Sequence, residues 1–293
     1  MPDRVVGIVG LGLVGRALGA RLRGQGWRTL GFDLREEAGA AFAAEGGARA
    51  GSLAQLGRET SCVLLAVFDT HGVLQVLEGE GALLSDGHAV RTVVDCSTGS
   101  PELLEALAAR LQARGVAFVE SPLSGSSQQI ERGEATALVG GPAEAVHECA
   151  PLLRAIAAQH VHVGAAGMGA RAKLATNLVL GLNRAALAEG IAFAEGLGIP
   201  PERFLALVLA TPARSDAAVV KGPLMVQEDF APRSRIRQHL KDVDLMLRGA
   251  RQAGLDLPFS EVHARLLREA VEAGDGELDN AAIVRRLRGR RTP

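Results

Sequence analysis

Residues 167–196 read GMGARAKLATNLVLGLNRAALAEGIAFAEG. The stretch holds no proline, and Leu174, Leu178 and Leu182 recur every fourth residue while Val179, Leu187 and Ile191 fill other sides. That spacing predicts one long helix. At about 1.5 Å of rise per residue, roughly 27 helical residues would extend on the order of 40 Å, more than an ordinary core helix. Apolar on nearly every side, such a helix is expected to lie buried between two halves of the molecule. Lys173 and Asn177 interrupt it near its start. Four residues apart, they share a face, and an amine beside an amide in apolar surroundings is a candidate reaction centre rather than core filling.

Upstream of this helix, strands and helices alternate. Residues 4–9, RVVGIV, form a branched strand that breaks into Gly10-Leu11-Gly12-Leu13-Val14-Gly15 and then the helical RALGARLRGQG. In that context the first glycine makes a tight turn, the second lets backbone approach a pyrophosphate, and the third allows helix to pack on strand. The helix N-terminus adds free N–H groups and partial positive charge for the phosphates. The next strand, residues 28–32, runs into Asp33, Leu34 and Arg35. A carboxylate about twenty residues past the glycines accepts hydrogen bonds from an adenosine ribose and repels a 2′-phosphate, which favours NAD. Arg35, two residues on, softens that preference and leaves NADP open.

The alternation continues with a helix near 36–45, a strand at 62–67, a helix near 72–77, a strand at 92–95, a helix at 101–114, a strand at 117–120 and an αβ stretch over 135–163. Apolar strands between helices imply a parallel sheet covered on both faces, with ligands beyond the carboxyl ends of the strands. The loops at those ends carry Val67, Phe68, Asp69 and Thr70, then Asp95, Cys96, Ser97 and Thr98, then Glu120 to Ser126. Their hydroxyls and backbone amides suit a nicotinamide carboxamide or a substrate carboxylate, and equally suit ordinary turns and caps. His160 and His162 face one side of a strand, but no third ligand accompanies them and no metal site is expected.

Downstream, the pattern is helix and loop only: a helix near 202–210, the polar Thr211 to Asp216, and a helix over 237–253 that contains Lys241 and Asp242. For that pair the bare sequence leaves a solvated helix face as an alternative to a functional one. The expected fold class is therefore α/β, a Rossmann-type doubly wound sheet over residues 1–164, followed by a smaller all-α domain over 165–293, joined by the long interdomain helix.

Composition removes several function classes. The chain has 293 residues, 47% hydrophobic and 22% charged, enough for a well-buried core. With 32 Lys and Arg against 33 Asp and Glu, nothing points to nucleic acid. Arg285, Arg286, Arg288, Arg290 and Arg291 form a basic run expected to be a solvated end. No apolar run approaches the roughly 20 residues of a membrane span, and MPDRVVGIVG lacks a signal-peptide pattern, so a cytoplasmic protein is expected. Cys62, Cys96 and Cys149 lie far apart and are expected to be buried thiols. The absence of tyrosine excludes tyrosine-based acid–base chemistry.

Five signatures stand in order: the glycine fingerprint at 10–15; Asp95-Cys96-Ser97-Thr98 with Pro101; Ser121-Pro122-Leu123-Ser124-Gly125-Ser126; Gly167 to Asn177; and Lys241-Asp242-Val243-Asp244-Leu245. Together, over nearly the whole chain, they resemble the β-hydroxyacid dehydrogenase family, which includes 3-hydroxyisobutyrate dehydrogenase, tartronate semialdehyde reductase and shorter relatives of 6-phosphogluconate dehydrogenase. The resemblance implies an NAD(P)-dependent oxidoreductase interconverting a small 3-hydroxy acid and its semialdehyde or keto acid. It implies Lys173 as general acid/base, Asn177 orienting the substrate, and Ser124, Gly125 and Ser126 holding a carboxylate. Lys241 would stand near substrate and nicotinamide, with Asp242 beside it at the cofactor. A homodimer or homotetramer through the C-terminal helical domain is likewise implied.

The chain departs from the family where Ser126 replaces the second glycine of a usual Ser-Gly-Gly, and where Thr176 stands for the first of two asparagines. Two alternatives remain: an imine reductase-like enzyme, whose relatives typically carry Asp or Tyr in place of Lys173, and a non-catalytic nicotinamide-binding dimer module. The expected chemistry also follows from the residues. A lysine on an apolar helix has its proton affinity lowered toward working pH and takes the alcohol proton as hydride leaves the carbinol carbon.

Overall fold

Branched residues buried on both faces set the sheet. In the computed structural model, which describes residues 4–289, the strands are β1 (Val5–Val9), β2 (Arg28–Phe32), β3 (Ala48–Arg49), β4 (Cys62–Leu65), β5 (Thr92–Asp95), β6 (Ala117–Glu120), β7 (Leu123–Ser124), β8 (Thr136–Gly140) and β9 (Gln159–Gly164). All four residues of β4 are buried. Cys62 and Leu64 enter one core, with Ile8, Leu18 and Phe42, while Val63 and Leu65 enter the other, with Leu56 and Leu107. A strand covered on both sides reads as a continuous apolar run instead of an alternating one.

The helices of this part are α1 (Leu13–Gly24), α2 (Glu36–Ala44), α3 (Leu53–Glu59), α4 (Thr70–Glu78), α5 (Pro101–Ala113), α6 (Ser127–Arg132) and α7 (Ala143–Ile156). Among the described residues the strand order is β3-β2-β1-β4-β5-β6-β8-β7, with β9 on β8. The first six of these strands are parallel; β8 runs antiparallel to β6 and β7. The order turns outward from β1 in both directions. Ligands of such sheets gather at the carboxyl ends of the strands flanking that switch, here β1 and β4.

The chain continues in α8 (Met168–Gly196), α9 (Pro201–Ala210), α10 (Asp216–Gln227), α11 (Ile236–Gln252), α12 (Pro258–Glu272) and α13 (Val284–Arg288), which build an all-α second part. By internal contacts the chain divides between Lys173 and Leu174, inside α8. The second unit has its own core, including Ile191, Leu205, Met225, Ile236, Val243 and Leu267.

The helix expected from its apolar circumference to lie buried, α8, is covered on one side only. Its buried positions, among them Ala170, Lys173, Asn177, Gly181, Arg184, Leu187 and Ile191, follow one stripe at three-to-four spacing, while Val179 and Phe193 stand exposed. Four further elements, β3, α3, β7 and α6, occupy stretches where the sequence predicted no element, β7 within the expected loop of 120–126. Cys62, Cys96 and Cys149 are buried free thiols, and burial pushes the Cys149 thiol up to about 11. Arg290 and Arg291 of the basic run lie outside the described residues.

Candidate active site

The glycine turn between β1 and α1 is built from close approaches. Gly10 has φ +88°, and a Cβ there would fall 2.5 Å from the Ala66 carbonyl oxygen. A Cβ at Gly15 would lie 1.8 Å from the Gly10 oxygen. Neither position admits a side chain. Gly12 differs: its added Cβ would meet nothing nearer than Arg35 Nη2 at 3.9 Å. The turn is thus open at the glycine expected to face a pyrophosphate. No side chain caps the first turn of α1, where Leu13, Val14 and Gly15 follow Gly12, so its amides suit an anionic group.

Asp33, just past β2, ties this turn to the next one. Its Oδ2 accepts from the Leu11 amide at 2.7 Å, and its Oδ1 accepts from the Arg35 amide at 2.8 Å. The Arg35 guanidinium grips the same carboxylate through Nε at 3.1 Å and Nη2 at 3.2 Å. Burial disfavours the Asp33 charge, but the bonds from the Arg35 side chain, the Arg35 amide and the Leu11 amide outweigh it and hold the carboxyl below its ordinary range. Leu34 between them is almost fully exposed. At the carboxyl ends of β4 and β5, Ser97 Oγ accepts from the Val67 amide at 3.1 Å, and the Ser97 amide donates to Asp95 Oδ1 at 2.9 Å. Thr98 is half-buried and Phe68 partly exposed beside them.

Ser124 ends β7, opposite Thr136 of β8. Gly125 has φ +156°, and a Cβ there would press on the Ala135 methyl at 2.9 Å. Ser126 caps α6: its Oγ accepts from the Gln129 amide at 3.3 Å, and the Gln129 side chain accepts from the Ser126 amide at 2.8 Å. The departure from the family's second glycine is therefore a helix cap.

Lys173 is buried on α8, five residues into the helix. One turn on, buried Asn177 donates through Nδ2 to Asp242 Oδ2 of α11 at 3.0 Å. Lys241 Nζ lies 3.1 Å from Asp242 Oδ1, at ion-pair distance but outside hydrogen-bonding alignment. Lys241 is mostly covered, which removes the solvated-face alternative for this pair.

Two features escaped the sequence. Arg184, on the stripe of Asn177 and Gly181, is fully buried; burial lowers its guanidinium to about 10, against the opposing charges of Asp279 and Asp242. A second cation on the buried stripe, eleven residues beyond Lys173, was the available signal. Glu120, at the end of β6, accepts amide protons of the first turn of α8. The sequence placed it at the end of a strand, but nothing local marked its partners, 47 and 50 residues away. His162 Nε2 sits 2.9 Å from the oxygens of both Gly141 and Gly164, and among the described residues no cluster of metal-capable side chains occurs.

Residues 5–164 match the family described as the NAD binding domain of 6-phosphogluconate dehydrogenase, and residues 167–287 the one described as NAD-binding of NADP-dependent 3-hydroxyisobutyrate dehydrogenase. The chain is 30% identical to L-threonate dehydrogenase of Cupriavidus necator over 99% of its length and 98% of that protein. It is 28% identical to 2-(hydroxymethyl)glutarate dehydrogenase of Eubacterium barkeri, covering 96% of this chain and 93% of that one. Among solved structures, 3-hydroxyisobutyrate dehydrogenase from Salmonella typhimurium superposes with a TM-score of 0.86 at 28% identity, over 97% of this chain and 99% of that one.

Proposed function

The chain belongs to the β-hydroxyacid dehydrogenase family, and from that premise we propose that it interconverts a small 3-hydroxy acid and its semialdehyde or keto acid, with NAD preferred over NADP. The observation that carries this reading is the buried pair Lys173 and Asn177, one turn apart on α8. The nicotinamide, when bound, accepts or returns the hydride. In oxidation Lys173 Nζ takes the alcohol proton as the carbonyl forms; in reduction its ammonium gives that proton back to the carbonyl oxygen. Asn177, fixed through Asp242, orients the same oxygen. Ser124, the Gly125 amide and Ser126 would hold the carboxylate end, and Lys241 would serve near substrate and nicotinamide.

The cofactor falls to residues 10–15, Asp33 to Arg35, Val67, Phe68, Ser97 and Thr98. Asp33 supports NAD, since its ionised carboxylate suits ribose hydroxyls and opposes a phosphate. In this reading residues 1–164 carry the cofactor, residues 165–293 carry substrate and subunit contacts in a homodimer or homotetramer, and the enzyme is cytoplasmic. Among the described residues no helix is long and apolar enough to cross a membrane.

The test is absorbance of the reduced cofactor with purified protein, NAD or NADP, and C3 and C4 hydroxy acids and semialdehydes. One clear substrate with NAD favoured supports the assignment. Lys173→Ala lowers turnover by about a thousandfold or more while cofactor affinity stays near normal; retained turnover sinks the role of Lys173.

A further inference from the structure

Glu120 ends β6 at the carboxyl edge of the sheet, in register with Asp95 of β5. Its side chain is buried. Oε2 accepts from the Gly167 amide at 2.5 Å and Oε1 from the Ala170 amide at 3.2 Å, and the Gly169 amide adds a third bond. These amides open α8 and have no acceptor within the helix itself. The fit depends on two glycines. A Cβ at Gly140 would fall 2.5 Å from Glu120 Oε2 and 2.6 Å from the Gly169 nitrogen; a Cβ at Gly169 would sit 3.0 Å from the Glu120 Cβ. Lys173 follows Ala170 by three residues, within one turn of the tie.

We propose that Glu120 is a positioning residue for the reaction: its carboxylate fastens the first turn of α8 to the edge of the sheet and so sets where the Lys173 amine stands. The inference rests on Lys173 being the acid/base. A carboxylate offers acceptors only, whereas a protonated carboxyl turns one oxygen into an O–H donor aimed among N–H donors. The tie therefore needs the ionised form. Burial pushes the Glu120 carboxyl up to about 7; the amides of Gly167 and Ala170 oppose that, and the charge of Asp95 adds to it. Arg171 of α8, paired with Glu105 of α5, is the facing cation. Gly140 and Leu138 of β8, packed on the same turn, bring no charge.

The experiment uses the holoenzyme in the reductive direction, where a lysine acid limits only the alkaline side and the acidic side reports Glu120. Wild type, Glu120→Gln and Lys173→Ala are compared between about pH 5.5 and 9, with backbone-amide NMR alongside. In wild type, kcat falls on acidification with its midpoint near 7, and the amides of Gly167, Gly169 and Ala170 titrate together at that pH. Glu120→Gln lowers kcat at alkaline pH by about tenfold or more, holds KM and cofactor affinity within about twofold, and loses both the acidic limb and the amide titration.

Wild-type kcat and acidic limb in Glu120→Gln overturn the proposal, as do wild-type amides that ignore pH. If Glu120→Gln does not fold, the wild-type protein decides: a shared midpoint of kcat and amides supports the tie, and flat amides overturn it. Turnover retained by Lys173→Ala overturns both readings, since no acid/base remains to be placed. Loss of turnover there, with Glu120→Gln unaltered, overturns the role of Glu120 alone.

Discussion

Asp33 works on two neighbours at once, receiving the Leu11 amide of the glycine turn and the forked guanidinium of Arg35. Because Arg35 is largely exposed, its ion pair adds little stability, and its consequence is for cofactor choice. Asp33→Ala is expected to weaken NAD by about tenfold and shift preference toward NADP, as a free Arg35 then meets a 2′-phosphate unopposed. Titration of each reduced cofactor by fluorescence measures the shift; an unchanged ratio would remove Asp33 from ribose recognition. At Arg184 the concern is stability. Its buried charge stands against Asp242 and Asp279, so Arg184→Met leaves buried carboxylates undercompensated and is expected to destabilise the helical unit by about 3 kcal/mol, measured by urea denaturation.

Among the elements, α6 explains the serine at position 126. Ser126 caps it reciprocally with Gln129. Ser126→Ala is expected to cost about 1 kcal/mol, whereas Ser126→Gly, restoring the family's usual residue, costs only a few tenths, because glycine is itself a tolerated cap. Urea midpoints of the two variants check the order. The long helix α8 teaches a different lesson. Its apolar residues encircle it, yet only one stripe is buried, since periodicity identifies a helix but not how many neighbours it meets. The strands β2, β5 and β6 fall where their short apolar runs place them, whereas the two-residue strands β3 and β7 exist through pairing with β2 and β8 and carry no pattern of their own.

Over the whole molecule, two buried groups give the units opposite responses to acid. Glu120 in the first unit has its carboxyl raised from 4.5 to about 7, mainly by burial. A raised carboxyl binds more protons in the folded state, so its contribution to stability is full below about 4.5 and is lost as pH rises through 7. His263 in the second unit is lowered from 6.5 to about 4 by burial and by Arg184. A lowered histidine binds fewer protons when folded, so its contribution is full above 6.5 and is lost as pH falls toward 4. Each shift is worth about 3 kcal/mol at its limit. Acidification from about pH 7 to 5 is therefore expected to raise amide protection in the first unit, outside the turn of α8 that Glu120 holds, and lower it in the second, read by hydrogen exchange corrected for intrinsic rates. Parallel changes in both units would refute the opposition. The sequence by itself determined the αβ alternation, the glycine turn and the Lys173–Asn177 face, because each depends on residues within a few turns of one another. Tertiary structure alone decided that Glu120 meets amides 47 and 50 residues away and that Asn177 meets Asp242 65 residues on. Which carboxylate reaches which donor depends on how separate elements pack, and local spacing holds no record of that.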